Sequence, residues 1–243
     1  MSLVRIKKLK ITLKTKSPIR IGGSGNPFKG TDNPVISING KYTIPGSSLK
    51  GAIRNKLEEY FIDLYAKTNK TTFQPCIPSN NPSNSERSLI GKKYRGANCV
   101  FKEDTNIEIC PVCYFLGAQS LPGFVRVPFL WFETNVDSEV LTNISIDRAT
   151  KTTRKGAILR SEIIPQDSTF SGILEIIEKD DILGWEFGKP RTINGINVDK
   201  WLGELDNSIS PLEILKKVIQ DIKILGGYKS KGFGDVEINI EEI

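Results

Sequence analysis

Apolar residues recur at Leu49, Ile53, Leu57, Tyr60, Phe61 and Leu64, the i, i+3/i+4 spacing of a helix that carries one apolar stripe and must bury it against a partner. The stripe follows the small-residue turn Ile44-Pro45-Gly46-Ser47-Ser48, which makes Ser47 the natural N-cap, and it fades near Lys67. A second helix is announced by Ser210-Pro211-Leu212-Glu213, a capping box with proline at the first helical position. Leu212, Leu215, Val218, Ile219 and Ile222 carry its stripe to about Leu225. Alternating runs flank these helices at residues 4–13, 124–133, 169–177 and 236–240, the first with a phase change at Lys7-Lys8 that implies a bulge. The order strand, helix, strand, strand, helix, strand is that of the ferredoxin-like fold, shared by the RNA-recognition motif, whose open sheet face and loops bind single strands. The expected class is α+β, a single ferredoxin-like (RRM-like) core with everything else hung on it as insertions.

The insertions hold the unusual chemistry. Residues 17–40 are rich in Gly, Pro and Asn, as in Gly22-Gly23-Ser24-Gly25-Asn26-Pro27 and Gly30-Thr31-Asp32-Asn33-Pro34. A loop of that length inside a compact domain is usually functional or disordered. Asp32 is its only acidic residue, and local sequence alone reads it as an Asx-type turn beside Asn33-Pro34. Residues 68–123 are polar and weakly periodic, yet they hold Cys76, Cys99, Cys110 and Cys113. Cys110-Pro111-Val112-Cys113 has the knuckle spacing that lets two thiolates converge on a tetrahedral ion, and a structural zinc contributes on the order of 10 kcal/mol to folding. Four-thiolate zinc ligation is favoured over unrelated thiols. A redox pair is disfavoured because the motif does not read as opening a helix after a strand.

Residues 143–148 and 157–164 flank a basic tip with Lys151, Arg154 and Lys155, a protruding hairpin that is either simply solvated or a prong along a nucleic-acid backbone. Residues 178–207 give only turns and two tryptophans expected to be buried, Trp185 and Trp201.

Two places suit an anion. A helix start offers unpaired backbone N–H groups and partial positive charge, and Lys50 and Arg54 lie one turn apart on the side away from the apolar stripe. Gly226-Gly227-Tyr228-Lys229-Ser230-Lys231-Gly232-Phe233-Gly234 combines four glycines with two lysines and two aromatics, which allows close backbone approach to phosphates with rings to stack on bases. A net charge of +6 permits a polyanionic partner. The chain has no histidine, so imidazole acid–base chemistry and histidine metal ligands are excluded. No apolar run reaches membrane-spanning length and residues 1–8 lack a signal-peptide core, so the expected address is the cytoplasm, without a membrane.

Taken together, Ile44-Pro45-Gly46-Ser47-Ser48-Leu49-Lys50-Gly51 with Arg54, the C-terminal glycine-rich loop and Asp32-Asn33-Pro34-Val35-Ile36 resemble the repeat-associated mysterious proteins, the RAMP superfamily. Within it the chain is most similar to the repeating backbone subunit of type III CRISPR effector complexes of the Csm type. The resemblance implies one domain over residues 1–243: a core of residues 3–66, 124–133, 165–177 and 209–243, a zinc-bearing lid at 68–123 and a thumb at 134–164 that includes Ile146-Asp147-Arg148. It implies an RNA-binding set of Ser47, Ser48, Lys50, Arg54, Arg148, Gly227, Lys229, Lys231, Gly232 and Gly234, zinc ligands Cys76, Cys99, Cys110 and Cys113, and Asp32 as the catalytic residue of a metal-dependent endoribonuclease using Mg2+ or another divalent ion. The implied partners are a CRISPR guide RNA, complementary target RNA, other effector subunits and further copies of the chain in a helical backbone. A non-catalytic guide-coating paralogue and a guide-processing endoribonuclease are the alternatives. The latter usually has histidine and two ferredoxin-like halves, where this chain has one convincing set of core elements.

Overall fold

The structure is a computed structural model that describes residues 3–23, 30–100, 108–133 and 137–243. Residues 24–29 of the glycine-rich loop, 101–107 of the cysteine-bearing insertion and 134–136 at the start of the hairpin segment lie outside the described residues. The first half contains β1 (Val4–Thr15), β2 (Ser37–Ile38), β3 (Lys41–Ile44), α1 (Gly46–Thr68), α2 (Asn84–Arg87), α3 (Pro111–Leu116), β4 (Val125–Arg126) and β5 (Leu130–Phe132). The second contains β6 (Glu139–Ile146), β7 (Thr153–Ile163), β8 (Thr169–Asp180), β9 (Trp185–Glu186), β10 (Thr192–Ile193), β11 (Ile196–Asn197), α4 (Trp201–Glu204), α5 (Pro211–Gln220) and β12 (Val236–Glu242).

The chain is mixed α+β, built on an antiparallel sheet in the order β12-β1-β8-β5-β3-β2. Period-two alternation makes β1 central: Leu9, Ile11 and Leu13 are fully buried while Lys8, Lys10 and Lys14 are exposed. Its register shift falls between Arg5 and Ile6, slightly ahead of the Lys7-Lys8 phase change. On the buried side α1 contributes Leu49, Ile53, Leu57 and Phe61, and α5 contributes Ile214, Leu215, Val218 and Ile219, to one core with Leu9, Leu174 and Ile238.

Three boundaries differ from expectation. Ser47 is not the N-cap of α1; the cap is Pro45, whose carbonyl accepts from the N–H groups of Ser48 at 3.0 Å and Leu49 at 3.2 Å. The first helical residue is Gly46, and backbone from a later segment is seated against it: a Cβ there would lie 2.8 Å from the Val127 carbonyl oxygen. The run at 124–133 is two short strands rather than one. Pro128 has no N–H for a ladder, and the Phe129 carbonyl closes on Gly172, where a Cβ would come within 2.5 Å. Helix α5 has its capping box, with Ser210 Oγ accepting from Leu212 N at 3.2 Å, but stops at Gln220. Ile222 and Leu225 stay buried in extended chain tied to the glycine-rich turn, Leu225 N donating to Gly234 O at 2.8 Å.

β6 and β7 form a separate hairpin on which Val140, Ile144, Ile146 and Ile158 are all more than half exposed. Its base is fastened by the buried Glu162, which accepts from Val35 N at 2.9 Å, Ser138 Oγ at 2.6 Å and Tyr42 Oη at 3.2 Å. In the segment of residues 178–207, Trp201 is fully buried, edge-on to Phe61 and Tyr114, whereas Trp185 is only half-buried. There too a wholly buried ion pair forms: Arg191 Nε and Nη2 donate to Asp199 at 2.7 and 2.8 Å, and the guanidinium lies 5.2 Å from the Tyr114 ring centroid. No helix among the described residues is long and apolar enough to cross a membrane.

Asp199→Ala leaves the Arg191 charge buried and unpaired. Urea unfolding should register a loss of about 3–5 kcal/mol, and a loss under about 1 kcal/mol contradicts this account of the pair.

Candidate nucleic-acid interface and metal centre

The start of α1 and the glycine-rich turn meet across a cleft of about 610 Å³. Ser48, Ala52, Asn55, Lys56 and Glu59 line one side, the 221–227 segment with Lys223, Gly226 and Gly227 lines the other, and Arg20 and Lys229 complete it. Four basic side chains thus face two carboxylates, Glu59 and Asp221. The turn holds its shape through positive φ at Gly226, Tyr228, Gly232 and Gly234. At Gly226 no other residue fits, because a Cβ would meet the Arg20 carbonyl at 2.6 Å; Gly227 N donates to that same oxygen at 2.7 Å.

Tyr228 is the exception in this turn, a side chain held at φ 61°. Left-handed backbone at a non-glycine residue costs of order 1–3 kcal/mol and persists only where its surroundings enforce it. Here Arg20 lies 5.1 Å and Lys231 4.7 Å from the ring centroid, Phe233 packs edge-on, and the hydroxyl is 3.0 Å from Ser161 Oγ. Ser161 is fully buried at the hairpin base and also accepts from Asn33 Nδ2 at 3.4 Å.

Asp32 sits beside this junction and is exposed. It is not a local Asx turn. Its N–H donates to Arg160 O at 2.9 Å and its Oδ2 accepts from Arg160 N at 2.7 Å, so the loop is sewn to β7; among the described residues Oδ1 has no hydrogen-bond partner. The tip of the hairpin is closed by Asp147, which accepts from Ala149 N and Thr150 N and is held below the usual carboxylate range by those bonds.

The four cysteines form the second constellation. Their sulfurs lie within 4.8 Å of one another, all buried, with Cys76 Sγ 3.4 Å from Cys113 Sγ. A tetrahedral zinc with Zn–S near 2.3 Å requires sulfurs about 3.8 Å apart, so the donors fit a metal such as zinc. Cys110 N donates to Cys99 Sγ and Cys113 N to Cys110 Sγ, each at 3.4 Å, the outer bonds that orient such ligands. The hydrogen bond with Cys110 is the largest influence on two thiols and acts in opposite senses, lowering Cys99 and pushing Cys113 far up. Four sulfurs this close cannot all ionise against one another, and a divalent cation is what permits it. The knuckle does open a helix, since Cys110 is the N-cap of α3. The convergence of Cys76 and Cys99 on it gives a four-sulfur set that could hold a metal, where a redox pair needs only two.

Lys50 and Arg54 line a cleft beside the cysteines, with Cys76, Cys99 and Cys113, and not the cleft of the glycine-rich turn. Burial opposes the charge on Arg54, but the sulfurs of Cys113 and Cys76, with Glu58, outweigh it and raise its pKa. Burial likewise raises Glu58, against the pull of Arg54, and desolvation together with Glu58 pushes Tyr94 up to about 12. Of the remaining sequence-derived residues, Ser48, Gly227 and Lys229 line the first cleft, whereas Ser47, Lys231 and Gly232 are exposed outside its lining. Arg148 lies in the exposed hairpin turn, and Gly234 is buried where a Cβ would strike Leu225 O at 2.2 Å. Arg20, Lys56 and Lys223 escaped sequence reasoning because each sits in unremarkable local sequence; only the fold brings them together. Also unforeseen is an exposed ring pair, Phe129 and Trp131, with centroids 6.0 Å apart at 25°.

Stripping metal with a chelator, or replacing Cys113 with alanine, should lower thermal stability sharply, since metal binding of on the order of 10 kcal/mol is at stake. Unchanged unfolding after chelation contradicts a structural metal.

A protein-family model described as the RAMP superfamily matches residues 12–237, nearly the whole chain. None of the curated proteins matches it.

Proposed function

Because the chain belongs to the RAMP superfamily, whose members work in multi-subunit CRISPR-related complexes with RNA, we propose that it is the repeating guide-RNA-binding backbone subunit of a type III effector of the Csm kind, and that it cuts complementary target RNA at regular intervals. The convergence of Ser48 at the start of α1 with Gly226, Gly227 and Lys229 on one basic cleft carries this proposal. The sheet order supports it: the last core strand lies beside the first, followed by the third and the second, as in a ferredoxin-like split βαβ. In this account residues 68–123 form a zinc-bearing lid on the four cysteines and residues 134–164 a thumb.

Backbone N–H groups at the helix start and in the glycine-rich turn, with Arg20, Lys56, Lys223 and Lys229, grip phosphates of the guide. The thumb splays the guide–target duplex and presents a target phosphate to Asp32. Asp32 orients the attacking 2′-hydroxyl, which the splayed backbone aligns in line with the scissile phosphate; the 2′-oxygen bonds to phosphorus as the bond to the 5′-oxygen breaks, the hydroxyl proton passing to solvent and the leaving 5′-oxygen taking one up. A divalent metal such as Mg2+, when bound, supplies charge neutralisation there. The bond from Arg160 N to Asp32 Oδ2 favours one rival, a guide-coating paralogue in which Asp32 only closes the loop.

In the complex assembled on guide RNA, Asp32→Asn should slow cutting of labelled complementary RNA by about 100-fold or more, with guide retention unchanged. Wild-type cutting by that variant selects the non-catalytic paralogue. Lys56→Ala and Lys229→Ala should each weaken RNA binding and reduce the salt slope by about one; unchanged slopes place the grip elsewhere.

A further inference from the structure

On the side of α1 away from the RNA cleft, Arg54 is largely buried, with 16% of its side chain exposed, and its Nη1 has no hydrogen-bond acceptor among the described residues. Glu58, one turn on and itself largely buried, forms an ion pair with it at 3.7 Å, a contact too long for a hydrogen bond, and accepts from Tyr94 Oη at 3.2 Å. That one carboxylate offsets the charge but leaves the buried Nη1 donor without an acceptor, which is costly in a desolvated site. The wall it faces is the cysteine cluster: Arg54 and Lys50 line one cleft with Cys76, Cys99 and Cys113. Four thiolates around a divalent cation leave a dianion, and Lys50 and Arg54 are the two cations beside it.

We propose that Arg54, assisted by Lys50, is the counter-charge of the tetrathiolate metal centre rather than a contact to RNA, an assignment that rests on the reading of the four cysteines as a metal site. Arg54 is then a positioning residue: it offsets the excess charge of the thiolates and helps hold the cysteine-bearing insertion against α1, and the centre in turn supplies the acceptor its buried Nη1 lacks. Glu58 and Tyr94 fix the guanidinium from behind.

The full chain, loaded with zinc, tests this by chelator competition in wild type, Arg54→Met, Arg54→Lys and Lys50→Met, with affinity for a short single-stranded RNA measured in parallel. Arg54→Met keeps the apolar stem, and zinc retention should fall about tenfold or more, the usual effect of losing an outer-shell partner. Arg54→Lys should recover most of it. RNA affinity and its salt slope should be unchanged in the Arg54 variants. Lys50→Met, at an exposed position where folding is not in question, should weaken zinc retention in the same direction by a smaller factor. Cobalt substitution adds a second readout, since removing the neighbouring cation should shift the thiolate-to-metal charge-transfer band. A wild-type chain that holds no zinc overturns the metal centre itself. Zinc held equally by wild type and Arg54→Met, or a loss of RNA affinity with a salt slope lowered by about one and zinc retention intact, overturns the role given to Arg54.

Discussion

Everything in the molecule depends on how α1 is seated. Its apolar edge is locked into the core through Leu49, Ile53, Leu57 and Phe61, and its first residue is pressed onto the backbone carbonyls of Val127 and Pro128, which only glycine permits. With that edge fixed, helical geometry leaves two other flanks. Ser48, Ala52, Lys56 and Glu59 line the basic cleft, while Lys50 and Arg54 line the cleft beside the cysteines. At 100° per residue the two flanks lie roughly 180° apart. One helix therefore borders both the basic cleft and the cysteine cluster.

A second junction links the cleft to the loop carrying Asp32. Tyr228 in the glycine-rich turn, Ser161 at the hairpin base and Asn33 in the loop meet around the buried Ser161 hydroxyl, and Asp32 is bonded to the backbone of Arg160 next to it. The strained backbone of Tyr228 is consistent with this convergence, since such conformations survive where several contacts over-determine them. Glycine-rich turn, hairpin base and loop thereby meet at one hydrogen-bonded corner.

What the sequence made legible was periodic or local. The stripes of α1 and α5, the Ser210 capping box, the alternation of β1, the glycine-rich turn and the Cys110–Cys113 knuckle each leave a signature within a few residues. Contacts made across the fold leave none. The Arg191–Asp199 pair, the Ser161–Tyr228 bond and the approach of Phe129 to Gly172 join positions whose neighbours in sequence are unremarkable. Arg54 shows the cost of reading charge from helix position alone: it does lie one turn from Lys50, but the cysteine-bearing insertion, not the glycine-rich turn, occupies that side of α1. Ser47 is not the cap either, since α1 already begins at Gly46 with Pro45 as its N-cap.

A single strand has two surfaces to choose between, the basic cleft and the sheet side where Phe129 and Trp131 stack in the open. Exposed stacked rings on a sheet are how RNA-recognition motifs hold bases, so the contest is a direct one. Ultraviolet cross-linking of a short single-stranded RNA to the intact chain, read out by peptide mass spectrometry, decides it. Adducts concentrated in residues 226–234 and at the start of α1 are the result expected here. Adducts concentrated at Phe129 and Trp131, with the glycine-rich turn unmarked, would contradict the assignment of the cleft as the RNA grip.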